Sequence, residues 1–324
     1  MLILVTGATG FIGGHTAAAL VEAGHSVRAT VRISSRVEHL EKLGVELRVG
    51  SLSDSAFLRE SCEGIDVVMN LAGRLGGWDV RQEELRLANV AVVKKLICAA
   101  EASGAKQFIQ CSTPGVVGMV GIAAEDAPYN TMGEYERTKR EAEEFALSRN
   151  LKDGLAVTVA RPDFVYGPGD LHKLKMFQAI RKRRFPLIGG GGSLLHPTHV
   201  RDVAGGLILM LERTEAFGHV FNIAGPRPVT VREMVSIVVN TLNVKPPRIS
   251  VPTPVALGAG FMGEMAARLF NCQPPITRQQ VVFFTRDHAS DITRAKKVLG
   301  YEPLIKPEDG IASTIAWYRQ EGYI

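Results

Sequence analysis

The first thirteen residues constrain this chain more than any other stretch. A short apolar run, Leu2–Thr6, passes directly into Thr6-Gly7-Ala8-Thr9-Gly10-Phe11-Ile12-Gly13, and a helical pattern follows. The spacing has a physical reading. Gly7 permits a tight turn, Gly10 lets the backbone approach a pyrophosphate, and Gly13 lets the helix lie close against the strand. The first-turn N–H groups of that helix then face an anion. A glycine triplet alone is weak. One that follows a strand and opens a helix in a βαβ unit predicts dinucleotide binding.

The rest of the first 160 residues repeats this alternation. Strand-like runs lie at Leu2–Thr6, Val27–Val31, Val45–Val49, Val67–Leu71, Gln107–Cys111 and Ala156–Ala160. They are short, continuous and often β-branched, as expected of strands buried on both faces. Helical patterns lie between them, at Gly13–Ala23, Val37–Leu43, Ser55–Cys62, Arg81–Ala102 and Tyr135–Arg149. The expectation is an α/β fold, a Rossmann-type doubly wound parallel sheet. Past Arg161 the pattern loosens. Residues 1–165 read as the dinucleotide-binding domain. Residues 166–324 read as a mainly substrate-binding region over the carboxyl ends of the strands, whose late segments can return to the first domain. Within it, Val220–Ile223 reads as a strand and Thr230–Leu242 as a helix with a Thr230/Glu233 capping box. The chain closes on a helix at Pro307–Gln320.

Composition excludes several classes. The net charge of +5 over 324 residues is mild and gives no basic face for nucleic acid. Apolar residues at 46% and charged ones at 22% describe a globular chain. The four cysteines, Cys62, Cys98, Cys111 and Cys272, lie far apart without a CxxC pair, which argues against a disulfide scaffold or a metal site. They read as reduced thiols of a cytoplasmic protein. No segment reads as a signal peptide or as a membrane-spanning helix.

TGxxGxxG at the N-terminus resembles the fingerprint of the short-chain dehydrogenase/reductase superfamily, and TGATGFIG resembles that of its extended branch, the NAD-dependent epimerase/dehydratase family. The resemblance runs over nearly the whole chain. It implies a nicotinamide cofactor, a small-molecule substrate and a homodimer formed through the helices Arg81–Ala102 and Tyr135–Arg149.

The second strand ends in Val27-Arg28-Ala29-Thr30-Val31-Arg32. An acidic residue at that end suits the ribose 2′-OH of NAD, whereas an arginine suits a 2′-phosphate. Arg32, with Arg36 four residues on, therefore favours NADP(H), with NAD(H) as the alternative. The VRATVR string also resembles dihydroflavonol reductases. After the third strand the family often has an Asp on the adenine; here Ser51 and Leu52 stand in GSLSD. Leu71-Ala72-Gly73 follows the fourth strand, where the family packs small residues on the cofactor.

Tyr135-Glu136-Arg137-Thr138-Lys139 is YxxxK, which puts both side chains on one helix face a turn apart. A free tyrosine ionises near pH 10, and a neighbouring ammonium favours its phenolate. Family resemblance makes these the catalytic pair, with Lys139 also on the nicotinamide ribose. Cys111-Ser112-Thr113-Pro114-Gly115-Val116-Val117-Gly118 resembles SSxxxVYG, so Thr113 would polarise a carbonyl oxygen, with Ser112 as the alternative. The family's tyrosine in that segment is Val117 here. Asn89 opens a segment resembling NVxGTxNLLxA and is a structural or relay asparagine.

Arg161-Pro162-Asp163-Phe164-Val165-Tyr166-Gly167-Pro168-Gly169-Asp170 resembles RPxxVYGPGD, which places Pro162, Phe164 and Val165 on the nicotinamide side. Nucleotide-sugar enzymes usually carry Asn where Phe164 stands and an Arg shortly before HVDDVA, where the matching stretch Ser193–Ala204 has Leu and His instead, so the expected substrate is less charged. His196 and His199 read as packing. The run Lys173, Lys175, Arg181–Arg184 reads as a solvated helix face. Segments from Pro275 to Pro303 resemble 3β-hydroxysteroid dehydrogenases, with Tyr301 expected to dock the last helix. The apolar connector Val255–Phe270 reads as packing before a lid or a membrane-surface helix. Taken together, these readings describe an NADP(H)-dependent oxidoreductase acting between a ketone and a secondary alcohol on a fairly apolar molecule. The alternatives are a nucleotide-sugar epimerase or dehydratase holding NAD, and a non-catalytic NADP(H)-binding regulator.

Overall fold

The computed structural model describes every residue except Asn271. In chain order the first half runs β1 (Leu2–Thr6), α1 (Phe11–Glu22), β2 (Ser26–Val31), α2 (Glu38–Lys42), β3 (Glu46–Val49), α3 (Ser55–Cys62) and β4 (Val67–Asn70). There follow α4 (Gln82–Arg86), a π-helical segment at Leu87–Ala91, α5 (Val92–Ala102), β5 (Gln107–Cys111), β6 (Gly121–Ala123), α6 (Glu134–Ser148) and β7 (Ala156–Pro162). The second half holds β8 (Val165–Tyr166), α7 (Leu174–Arg181), β9 (Leu187–Ile188), β10 (Leu194–Leu195), β11 (Thr198–His199), α8 (Val200–Ile208) and β12 (Val220–Ile223). After these come β13 (Val229–Thr230), α9 (Val231–Leu242), β14 (Ser250–Val251), α10 (Thr253–Phe270), α11 (Arg278–Phe283), β15 (His288–Ser290) and α12 (Pro307–Gln320).

Seven of these strands form one parallel sheet in the order β12-β7-β5-β4-β1-β2-β3. The order reverses between β1 and β4, so a crevice opens at their carboxyl ends, where open α/β sheets hold ligands. Alternation along β1 separates two cores. Ile3 and Val5 face a cluster that includes Leu20, Leu207, Phe221 and Tyr301. Leu4 faces the opposite cluster, with Val68, Leu96, Phe108 and Ala142. Each such fully buried side chain is worth roughly 1.5–3 kcal/mol relative to exposure. A third cluster, with Tyr166, Phe177, Val238, Ile311 and Tyr318, belongs to the second half.

The second half also feeds the sheet: β12 pairs with β7 in register Val220↔Val159 to Ile223↔Pro162. Small two-stranded pairs tie the remaining loops together, among them β15 to β6 through His288↔Gly121 and Ser290↔Ala123. Asn222, at the end of β12, donates to the carbonyls of Ala123 and Asp291 and so fixes both members of that pair.

Several local expectations need correction. Arg28, in the same VRATVR string as Arg32, is buried and donates to the Ser61 and Glu63 carbonyls. Thr230 caps α9 by accepting from the Glu233 N–H, but the Glu233 carboxylate pairs with Arg227 at 2.7 Å, so only half a capping box forms. The full box is at Thr277 and Gln280. Tyr301 does not dock the last helix. Its hydroxyl donates to Ala224 beyond β12, and Tyr318 anchors α12 by donating to the Asp170 carbonyl. On α10, Ala256, Gly260, Glu264 and Ala267 pack inward while Met262, Met265 and Leu269 stay exposed. Among the described residues no helix is long and apolar enough to cross a membrane, and no cluster of His, Cys, Asp or Glu could hold a metal ion.

Candidate active site

The crevice begins with the glycine turn. Gly7 has φ +73°, and a Cβ there would stand 2.7 Å from the Ala72 nitrogen. A Cβ on Gly13 would stand 2.1 Å from the Gly7 carbonyl oxygen. Neither position admits a side chain. Gly10 is extended and would crowd only the Gly7 carbonyl, at 3.1 Å. Gly10 caps α1 without a side-chain bond, so the first-turn N–H groups point outward unpaired. Ala72 is held in turn: its N–H donates to Thr6 Oγ1, which donates to Asn70, which donates to Gln110. This buried ladder across the ends of β1, β4 and β5 was not read from the sequence.

A cavity of about 390 Å³ opens above these strand ends. Of the expected cofactor residues, Gly7, Gly10, Phe11, Ile12, Gly13, Leu71, Ala72, Gly73, Pro162 and Val165 line it, together with Ser112, Thr113, Tyr135 and Lys139. Thr9 borders a separate open groove on the far side of the turn. Arg32, Arg36 and Ser51 are exposed and lie outside the cavity, and neither arginine forms an ion pair among the described residues. Leu52 packs against the core under α3, whose N-cap is Asp54 of the same GSLSD segment. Asn89 does not line the cavity. Its amide donates to the Arg74 carbonyl and to Thr138 and accepts from the Arg74 N–H, which pins the loop after Gly73 onto α6.

Lys173 departs from the solvated face expected of its run. Its ammonium turns inward, donates to the Val165 carbonyl, lies over the Phe164 ring at 4.7 Å and lines the cavity with Asp170. Burial lowers its pKa. His196 and His199 are buried in packing roles. His196 lies against the Gly225 carbonyl and accepts from the Ser290 N–H; His199 caps α8, and burial lowers its pKa to about 4.

Tyr135 and Lys139 stand on α6 at the cavity floor. Burial pushes the Tyr135 phenol above its ordinary value, and Cys111 and Glu136 add to that. Burial also pulls the Lys139 ammonium down. The Lys139 ammonium donates to the Cys111 carbonyl at 2.6 Å. Thr113 Oγ1 accepts from the Gly115 N–H at 3.3 Å and keeps its own proton to donate. The Ser112 hydroxyl is buried with no partner.

A second cavity, about 190 Å³, adjoins the first, and Thr113, Tyr135 and Pro162 line both. Its walls are largely apolar: Pro114, Met119, Phe164, Phe283 and Ala289. Phe164 stacks on Phe283 at 5.9 Å between centroids, and Phe283 meets the His288 ring at 4.3 Å. Phe164, expected on the nicotinamide side, lines this smaller cavity and not the larger one, and sequence reading missed Glu136, Phe283 and His288. The Glu136 signal was adjacency to Tyr135; the others come from a segment more than a hundred residues downstream.

With this geometry in hand, known proteins can be compared. The model of the NAD dependent epimerase/dehydratase family matches residues 3–224. The chain belongs to that family, the extended short-chain dehydrogenase/reductases, and is an NAD(P)-dependent enzyme of that class. It is 28% identical, over 96% of its length and 95% of the relative's, to the 4-hydroxy-2-methyl-3-oxo-4-farnesyl-3,4-dihydroquinoline-1-oxide ketoreductase of Stigmatella aurantiaca. It is 26% identical, over 98% and 90%, to the 3 beta-hydroxysteroid dehydrogenase/Delta 5-->4-isomerase of Mycobacterium tuberculosis. Among solved structures, MoeE5 in complex with UDP-glucuronic acid and NAD superposes with a TM-score of 0.78 at 26% identity, over 99% of this chain and 100% of that one.

Proposed function

We propose that this protein is an NADP(H)-dependent oxidoreductase that reduces a ketone on a largely apolar small molecule. One observation carries the reading: among the hydroxyl-bearing residues described, Thr113 and Tyr135 alone border both cavities. A carbonyl at that junction meets two donors, with its carbon facing the larger cavity. Thr113 donates to the carbonyl oxygen and stabilises the charge that develops there. Tyr135 delivers the proton from the phenol that it presents to both cavities.

The site fits a dinucleotide. A Cβ would fill the cradle at Gly7 and Gly13, and unpaired N–H groups line the start of α1. The glycine turn would take the pyrophosphate, Leu71–Gly73 the adjoining ribose, and Lys139 the nicotinamide ribose. Bound NADP(H) supplies the hydride. Arg32 and Arg36, exposed and without ion pairs, would receive the 2′-phosphate. The ketoreductase and hydroxysteroid dehydrogenase names of two relatives favour a ketone. MoeE5, with its sugar nucleotide, keeps the epimerase reading alive. The apolar walls of the small cavity and Phe164 in place of an asparagine weigh against it. We also retain the proposal of a homodimer through the α4–α5 stretch and α6, which light scattering would test.

The test is direct. NADPH consumption with a panel of ketones supports reduction. Conversion of UDP- or dTDP-sugars without net NADPH oxidation would overturn it in favour of an epimerase.

A further inference from the structure

We infer that the small cavity selects ketones carrying a hydroxyl one or two carbons from the carbonyl, and that His288 is the residue that reads this hydroxyl. The inference rests on the ketone-reductase reading above and specifies its substrate class.

The argument starts from unpaired atoms. Few buried side-chain polar atoms among those described lack a hydrogen-bond partner, and two of them, Glu136 Oε2 and His288 Nε2, belong to residues lining this one cavity. Buried polar atoms left unpaired are costly, so such a pair marks a place built for a ligand's polar group. His288 is firmly set. It lies on β15, which is registered to β6, and its ring packs on Phe283 at 4.3 Å. Its Nδ1 lies 3.3 Å from the Arg286 carbonyl oxygen. A carbonyl only accepts, so Nδ1 carries the proton and Nε2 of the neutral ring presents a lone pair. That lone pair needs an O–H or N–H from the ligand.

The other groups narrow the donor's nature. Burial favours the neutral ring at His288 and pushes the carboxyl pKa of both Glu136 and Asp163 upward. Asp163 already accepts from Ser290 at 2.6 Å. A carboxylate on the ligand has no proton for Nε2. A ligand hydroxyl supplies the donor that His288 Nε2 lacks. The remaining walls, Met119, Phe164 and Phe283, take the hydrocarbon. Thr113 and Tyr135, which line the same cavity, hold the reacting carbonyl.

The experiment compares octan-2-one with 3-hydroxyoctan-2-one and 4-hydroxyoctan-2-one. Binding is titrated on the full chain with oxidised NADP present, so that the carbonyl cannot be reduced, and NADPH consumption is followed in parallel. One hydroxyketone should bind about tenfold or more tighter than octan-2-one, the ratio expected when a buried acceptor gains its hydrogen bond. His288→Phe keeps the ring stack but removes the lone pair and should bring that ratio to within about twofold. Equal wild-type affinities overturn the inference, as does a preference that survives in His288→Phe. The wild-type ratio decides alone if the variant misfolds. Turnover without selective binding sinks only the hydroxyl inference. Selective binding without NADPH consumption sinks only the reductase reading. If no ketone binds, both fall.

Discussion

The two cavities that meet at Tyr135 are built in opposite ways. The larger is lined by the glycine turn and the segments that follow β4, β5 and β7 at the carboxyl ends of the sheet, with Tyr135 and Lys139 of α6. The smaller is made of side chains from the loop after β5, from α6, from the end of β7 and from Phe283–Ala289 near the chain's end. The first accommodates a group whose shape does not vary, and its tolerances are steric. The second tolerates exchange of side chains, and its polar atoms are left open. A fold can therefore keep one cofactor and change substrate by altering only the second region.

The comparison is broken most severely at the shared residues. Tyr135→Phe should lower kcat by about 10²–10⁴-fold while cofactor affinity moves by less than about twofold, read by stopped-flow rates and fluorescence titration. A variant keeping a tenth of the activity would remove Tyr135 from general acid duty.

Gly13→Ala tests the steric region. Its Cβ would collide with the Gly7 carbonyl at 2.1 Å, so the turn must open. Overpacking of this kind costs about 1–3 kcal/mol, occasionally more. At about 2–4 °C per kcal/mol in a chain of this size the melting temperature should fall by several degrees, and cofactor binding should weaken together with it. A side-chain change in the smaller cavity such as Phe164→Leu should leave cofactor affinity nearly unmoved.

Arg32→Asp should weaken NADPH binding by about tenfold to a few hundredfold and narrow the preference over NADH, since a charge-assisted bond is worth about 1.5–3 kcal/mol. Arg36 can blunt the effect, so the double variant is the stronger measurement. Unchanged selectivity in the double variant would assign the site to NAD(H).

The smallest effect concerns pH. Burial raises the Asp163 carboxyl to about 7 from its ordinary 3.8. The folded chain then holds a proton that the unfolded chain releases, so this group's contribution is full below about pH 4 and is lost as pH rises through 7. Asp163→Asn should therefore melt a few degrees higher than the parent at pH 8 and show no such gain at pH 4. Differential scanning calorimetry at the two pH values checks it, and an equal shift at both would point to packing instead.

How much was legible in advance differs between the regions for the same reason that their construction does. The glycine turn, six of the seven parallel strands, the later strand Val220–Ile223 and the helix carrying Tyr135 and Lys139 follow from local periodicity, because strand burial and helix faces are written at spacings of two to four residues. Local spacing also misled: Lys173 shares a charge run with solvated neighbours, and only the position of Val165 and Asp170 turns it inward. Arg28 and Arg32 look alike in one string, yet one lies under α3 and the other in solvent. Lys139 was expected to tune Tyr135, and periodicity could not show that its ammonium also donates to the Cys111 carbonyl at the end of β5.

By itself the sequence determined the doubly wound sheet and the dinucleotide turn, since glycine placement and apolar period act through backbone sterics within one βαβ unit. Only the tertiary structure decided which side chains close the second cavity. His288 reaches it because β15 pairs with β6, and that pairing depends on Asn222 at the far edge of the sheet. Contacts between residues more than a hundred positions apart leave no periodic trace in the chain that makes them.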